Sequence, residues 1–249
     1  MWFDGITGNI GKAISPNSPY EISSGGTGPA TFSFWVNSWQ TNFGSSALSI
    51  TSKGNPSINS ERLFELRVNG TATNRLEFVY RDQSLNFHVF ASGIRFIRNS
   101  NEWRHVVFTY TYATGSSATF WIDGAKVAAG WTSGTGNQPP FIVDSEEFRI
   151  GGGISGPWPG SINDFCIWTN ILTDAQINLL YTSRLKRSPI QISRLSQICY
   201  YPCDNGKDTE SLPTANNFIQ DWSVLRIPIN VSPTTRCLAE RVNSYPPNE

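Results

Sequence analysis

The chain has 249 residues, a formal net charge of zero, and only 15% charged against 13% aromatic residues. Such a balance excludes nucleic acid as the main partner, which needs a basic face; Arg184, Lys186, Arg187 and Arg194 gather around one segment that reads as a solvated linker. No run approaches the roughly 20 apolar residues needed to cross a bilayer, so no membrane insertion is expected. Met1-Trp2-Phe3-Asp4-Gly5 lacks the basic start and apolar stretch of a secretory signal. That start fits a mature chain that has lost a signal, or a protein made in a cytosol.

In chain order, short alternating segments bounded by turn residues predict strands. Residues 31–36 place Phe32 and Phe34 on one face, and residues 63–68 set Phe64, Leu66 and Val68 against Leu63, Glu65 and Arg67. Residues 75–80 bring Leu76, Phe78 and Tyr80 together, residues 85–90 bring Leu85, Phe87 and Val89 together, and residues 104–110 do so for Val106, Phe108 and Tyr110. Asp123-Gly124, between Thr119-Phe120-Trp121-Ile122 and Ala125-Lys126-Val127, predicts a two-residue hairpin of type I′, whose twist matches the flanking strands. One helix is predicted from Thr173: Thr173 and Gln176 form a capping box, Leu172 and Ile177 a hydrophobic staple, and Leu179, Leu180 and Tyr181 continue the apolar face. Many short strands and one helix predict an all-β, two-sheet antiparallel sandwich.

Cys166, Cys199, Cys203 and Cys237 do not have the spacing of a metal site. In one extended strand, Cys199 and Cys203 would lie about 13 Å apart, too far for a disulfide. Pairing of either with Cys166 or Cys237, or free, partly buried thiols, both stay open.

Several motifs, in this order, resemble the laminin-G-like and pentraxin-like branch of the concanavalin A-like lectin/glucanase superfamily. The first are Trp2-Phe3-Asp4-Gly5 and Phe32-Ser33-Phe34-Trp35-Val36. Next come Trp103-Arg104-His105-Val106 with Phe120-Trp121-Ile122-Asp123-Gly124-Ala125-Lys126, similar to the family's W-x-H-V and Y-V-D-G-K hairpin. Gly160-Ser161-Ile162-Asn163-Asp164-Phe165-Cys166-Ile167-Trp168 resembles the closing strand. The resemblance covers about residues 1–182 and implies a concanavalin A-like jelly roll.

The chain departs from the family's pattern in two places. The superfamily often carries a structural calcium ion, which takes several oxygen ligands. Asn163 stands where the family usually has Asp, with Asp164 next, so these two are the candidate metal ligands, and the substitution weighs against the ion. Asp144, Glu146 and Glu147 form the other acidic cluster, read as a solvated loop. No other cofactor is implied. The second departure is Ile198-Cys199-Tyr200-Tyr201-Pro202-Cys203-Asp204-Asn205-Gly206, which resembles the segment that usually opens such a domain yet here follows the helix. The expectation is a circularly permuted sandwich. Residues 1–184 form its body, and residues 185–249 return to complete it or pair with a neighbouring subunit.

Catalysis is not expected. The E-x-D-x-x-E arrangement of the superfamily's retaining glucanases is absent: Glu61 and Glu65 lack the intervening Asp, and Asp144, Glu146 and Glu147 come in the wrong order. His88 and His105 read as packed residues, no Gly-x-Ser-x-Gly elbow occurs, and neither a lysine nor a helix follows Gly151-Gly152-Gly153 to make it a phosphate loop. The first functional reading is a non-catalytic virion-exterior protein, a capsid decoration or fibre component, whose partners are other subunits or capsid protein. The permuted layout and the closing Ser244-Tyr245-Pro246-Pro247 resemble proteins of tailed phages and environmental viral genomes. The alternative is a calcium-assisted glycan-binding lectin module of a secreted or cell-surface protein. For that reading Trp39, Trp131 and Trp158 are the candidate ligand-binding residues, because they sit among loop residues where a sugar ring could stack.

Overall fold

Asp123 and Gly124 take φ angles of 52° and 74°, the two positive values a type I′ hairpin requires, and Ala125 pairs with Ile122 across the turn. The computed structural model describes residues 2–4, 10–12, 28–54, 62–70, 74–141, 148–182, 188–201, 218–219 and 229–230. Asp144, Glu146, Glu147, Cys203, Cys237 and the segment 244–247 lie outside them.

The strands are β1 (Trp2–Asp4), β2 (Ile10–Lys12), β3 (Pro29–Ser38), β4 (Ala47–Gly54), β5 (Arg62–Asn69), β6 (Arg75–Arg81), β7 (Phe87–Arg95) and β8 (Arg104–Thr111). They continue with β9 (Thr119–Ile122), β10 (Ala125–Val127), β11 (Ala129–Ser133), β12 (Phe148–Ile150), β13 (Pro159–Trp168), β14 (Gln197–Tyr201), β15 (Phe218–Ile219) and β16 (Ile229–Asn230), with helix α1 (Asp174–Thr182) between β13 and β14. One seven-stranded sheet runs β1-β13-β3-β8-β9-β10, with β14 also on β13. The other, also seven-stranded, runs β11-β7-β6-β5-β4-β12-β2, and β15 and β16 pair separately. The pairings within both sheets are antiparallel, as expected for a jelly-roll sandwich. No helix among the described residues is long and apolar enough to span a membrane.

Between the sheets lies an aromatic core that the period-two pattern aims inward. Phe32, Phe108 and Phe120 of the first sheet meet Phe64, Phe78 and Phe90 of the second, all buried. The Phe78 and Phe108 rings stack at 4.3 Å, and Phe32 meets Phe64 edge-on at 5.0 Å. These offset and T-shaped geometries are the favourable ones for aromatic pairs. A second apolar layer covers the outer face of the first sheet, where Val107, Cys166, Trp168 and Tyr200 pack under Leu172, Ile177, Leu180 and Ile192. The capping box forms reciprocally, with Thr173 N donating to Gln176 Oε1 at 2.9 Å and Gln176 N to Thr173 Oγ1 at 3.3 Å. Leu180 turns inward and Tyr181 stacks on Trp35 at 5.8 Å, but Leu179 faces solvent.

Two expectations change in detail. Leu85 does not join a strand with Phe87 and Val89: it has a φ of 64° in a turn where Leu85 N donates to Asp82 O, and β7 starts at Phe87. Its inward residues are His88 and Phe90, because Tyr80 and Phe78 face them across β6. Cys166 and Cys199 are both buried, but the first belongs to the helix-side layer and the second to the central core. The sheet itself separates them.

The C-terminal β14 lies on β13 of its own chain, Tyr201 opposite Phe165 and Cys199 opposite Ile167. β1 lies on the first part of β13, Trp2 opposite Ser161 and Asp4 opposite Pro159. Since β3 takes the other side of β13, β1 and β14 share one edge of it.

Candidate functional site

A concave feature lies among the described residues at one rim of the sandwich, where the ladder of β7 is irregular. From Glu77↔Ala91 a regular ladder would bring Arg75 opposite Gly93, yet Arg75 pairs with Arg95. The extra residues form a bulge around Ser92-Gly93, the composition that marks bulges inside strand patterns. Ser92 Oγ accepts from Leu76 N at 3.1 Å, replacing a ladder carbonyl, and donates to Ile94 O at 3.0 Å. Gly93 N donates to Ala128 O at 2.7 Å. A Cβ at Gly93 would stand 3.0 Å from that same oxygen, so the close approach favours glycine.

The loop after β3 is clamped onto this bulge. Thr41 O accepts from Asn74 Nδ2 at 2.5 Å and from Arg95 Nη2 at 2.8 Å, while Arg95 Nε donates to Ile97 O at 3.0 Å. Asn74 is buried with a φ of 48°, a left-handed conformation that Asn tolerates. Gly70 N donates to Ser46 O at 3.0 Å. Thr41, Asn42, Gly70, Asn74, Arg75, Gly93 and Arg95 line the resulting cleft of about 390 Å³, a volume suited to a small ligand. Its described lining carries amide, hydroxyl and guanidinium groups and no carboxylate.

Of the aromatic residues singled out from sequence, Trp158 is fully buried, its Nε1 donating to Asn37 O at 2.8 Å and its ring 5.8 Å from Phe43. It packs its loop onto the sandwich and offers no face to a sugar. Trp131 is half-buried, donates to Gly115 O at 3.0 Å and meets Phe90 at 5.1 Å. Trp39 is half-buried on the loop that carries Thr41 and Asn42, and its backbone N donates to Pro159 O at 3.3 Å. The three do not converge on one surface feature, and none lines the cleft.

Asn163 and Asp164 sit in a bulge of β13, which explains the shifted position of the acidic residue. Pairing with β3 breaks between Asn163 and Cys166, and Asp164 takes a φ of 49°. Asn163 is buried, and Asp164 Oδ1 accepts from the Tyr200 hydroxyl at 2.8 Å. Among the described residues no three acidic, His or Cys side chains gather to hold a metal. Among the described residues, Asn163 and Asp164 are therefore not joined by the further carboxylates on which a calcium site usually draws.

The histidines are packed, as expected. His88 accepts at Nδ1 from Gly136 N at 3.0 Å, so its Nε2 carries the proton and donates to Asp82 Oδ2 at 3.2 Å. Burial raises the Asp82 carboxyl, but hydrogen bonds from Asn86 and His88 outweigh it and hold it below the ordinary value. His105 is buried between Trp35 and Tyr181, bonds Ser33 Oγ through Nε2 at 3.1 Å, and is pushed down to about 3 by desolvation. Ser33 and His105 are both buried, which closes that pair off from solvent. Glu65, fully buried, is ion-paired to Arg62 at 3.2 Å and Arg67 at 3.6 Å. Glu77 is likewise occupied by Arg67 Nε and Asn69 Nδ2, both at 2.9 Å.

The cleft residues were not singled out by sequence reasoning. Only Ser92-Gly93 inside a strand pattern signalled them, because bulges cluster where a side chain is re-aimed.

A family described as concanavalin A-like lectin/glucanases superfamily matches residues 13–178. A Bacteroides ovatus structure, described as a candidate carbohydrate-binding protein, is 18% identical with a TM-score of 0.56, covering 90% of this chain and 58% of that one. The chain thus spans little more than half of the Bacteroides protein. A heptameric SAP-like pentraxin from Limulus polyphemus is 15% identical with a TM-score of 0.49, covering 73% of this chain and 80% of its own. The binding domain of botulinum neurotoxin serotype D is 15% identical with a TM-score of 0.48, covering 73% and 41%. No curated protein matches the sequence.

Proposed function

The chain belongs to the concanavalin A-like lectin/glucanases superfamily, and from that premise we propose that it is a non-catalytic binding module whose rim cleft holds a saccharide. The observation that carries this reading is the cleft of about 390 Å³ lined by Thr41, Asn42, Asn74, Arg75 and Arg95. Hydroxyl-rich ligands are recognised by a few fixed amide, hydroxyl and guanidinium groups, and the clamp at Thr41 O fixes Asn74 and Arg95 before any ligand arrives. Glu65 and Glu77 neutralise arginines, which supports binding without hydrolysis. Screening the intact chain on a glycan array, followed by calorimetry with the strongest hits, tests the reading. Binding that is weakened by truncating an exposed lining residue (Asn42→Ala) is expected; an array blank at every saccharide overturns it.

A second reading, a virion-exterior component, draws support from β14. A strand from the C-terminal part that lies on β13 beside β1 is what a permuted sandwich requires, and that layout motivates the viral resemblance. Co-assembly of the chain with a capsid protein of a matching phage would test it, and a monomer with no affinity for capsids would reject it.

A further inference from the structure

Arg75 and Arg95 are register partners across β6 and β7, and both line the cleft. Like charges directly opposite each other weaken a sheet. A regular ladder would have avoided the pair, since Gly93 would then have faced Arg75; the bulge puts Arg95 there instead. Nothing among the described residues offsets the two charges. Glu77, two residues along the same face of β6, has one oxygen on Arg67 Nε and the other on Asn69 Nδ2. Arg95 bonds the carbonyls of Thr41 and Ile97, which fix its plane without cancelling its charge. The Arg75 side chain makes no hydrogen bond or ion pair with the described residues.

We propose that the cleft binds the acidic group of a saccharide, a carboxylate or a sulfate ester, between Arg75 and Arg95. This rests on the saccharide reading above and narrows it to acidic sugars. A guanidinium presents its donors in a planar fork that matches both anions, and charge-assisted bonds of this kind are roughly twice as strong as neutral ones. Arg95 is held ready by its carbonyl bonds, and Arg75 is left free to close on the anion. Asn42, exposed at the cleft, uses its Oδ1 to accept from Gly44 N at 2.9 Å, which leaves its Nδ2 to donate to a ring hydroxyl.

Calorimetry on the full chain with three probes tests this: an oligogalacturonate, a chondroitin sulfate oligosaccharide and a neutral laminari-oligosaccharide. The acidic probes are expected to bind, with affinity falling as salt rises, and the neutral one not to. Arg75→Gln is expected to weaken acidic binding about 10-fold or more while the melting temperature stays level or rises, because a repulsion is removed. Arg95→Gln is the second variant, and its melting curve separates lost binding from a loosened rim. Preference between uronate and sulfate identifies the source of the charge. Neutral and acidic probes binding equally, with Arg75→Gln unchanged, overturns the acidic inference and leaves the saccharide reading standing. Failure of all three probes together with a blank glycan array removes both.

Discussion

The Tyr200 hydroxyl, on the strand that returns from the C-terminal part, donates to Asp164 Oδ1 at 2.8 Å in the bulge of β13. Tyr200 is fully buried, so this bond ties β14 to the closing strand at the point where the β3 pairing is interrupted. Tyr200→Phe is expected to cost about 1 kcal/mol in urea denaturation, because a partly exposed carboxylate loses a buried donor. Deleting residues 195–249 should do far more, stripping β13 of a strand and exposing its edge to other chains. Light scattering of the truncated chain is then expected to show association. An unchanged mass and stability would mean that β14 contributes nothing to the sandwich.

Acid should destabilise this protein through His105. Burial pushes its folded pKa down to about 3, whereas the unfolded imidazole titrates near 6.5. Between those values the unfolded chain binds the extra proton, so stability is complete above pH about 6.5 and falls by about 1.4 kcal/mol per pH unit as pH drops towards 3. Asp82, lowered by its hydrogen bonds, adds a loss only in the carboxylate range below. Asp123, raised by burial, opposes the loss just above its ordinary value. The histidine signature is therefore cleanest between pH about 5 and 6.5. Denaturation midpoints should fall across that window in the parent chain and stay flat in His105→Gln.

The sandwich was legible where one physical cause acted alone. Phe32, Phe64, Phe78 and Phe108 alternate with residues of the opposite face and all point into the core, and Asp123-Gly124 could hardly form anything but its turn. β4 is harder to see, because both of its faces are buried while its outer face is built from hydroxyls. Thr51 Oγ1 donates to Arg149 O at 2.8 Å, and Ser49 donates to the Glu65 carboxylate, so Ser49-Ile50-Thr51-Ser52 reads as polar loop although it is interior strand. The candidate site escaped for a similar reason. Trp39, Trp131 and Trp158 stand out because they sit among loop residues, but whether an indole faces water depends on contacts such as Trp158 with Asn37 and Phe43. The pairing of Arg75 with Arg95 depends on a register shift that the residues themselves do not spell out.

Glu65 should be the most sensitive carboxylate in the described part of the sandwich. It is fully buried, accepts from Ser155 N at 2.9 Å and is ion-paired with Arg62 and Arg67. Glu65→Gln keeps the shape but removes the buried anion that Arg62 faces and one of the two that Arg67 pairs with, Glu77 remaining on Arg67. Breaking a buried pair in this way typically costs about 3 kcal/mol. Equilibrium unfolding should show that loss. Faster hydrogen exchange at Ser155 would show that the loop it belongs to is released as well. A loss under about 1 kcal/mol would mean that solvent already screens the cluster.

Two glycines should respond oppositely to the same substitution. Gly136 has a φ of 71°, and a Cβ there would stand 2.1 Å from Trp131 Cζ2. Its amide also serves His88 Nδ1 and its carbonyl the Tyr110 hydroxyl, so displacing it disturbs the buried Tyr80–Tyr110–His88 cluster. Gly136→Ala is expected to cost about 2 kcal/mol or more through overpacking and a left-handed backbone. Gly130, in the middle of β11, has nothing within 4 Å of an added Cβ. Gly130→Ala should raise stability by about 0.4–1 kcal/mol, because it removes conformational freedom from the unfolded chain only. Thermal melts of the two variants side by side check both signs. Equal effects would mean that Trp131 does not rest over Gly136, and the indole would then be available to a ligand after all.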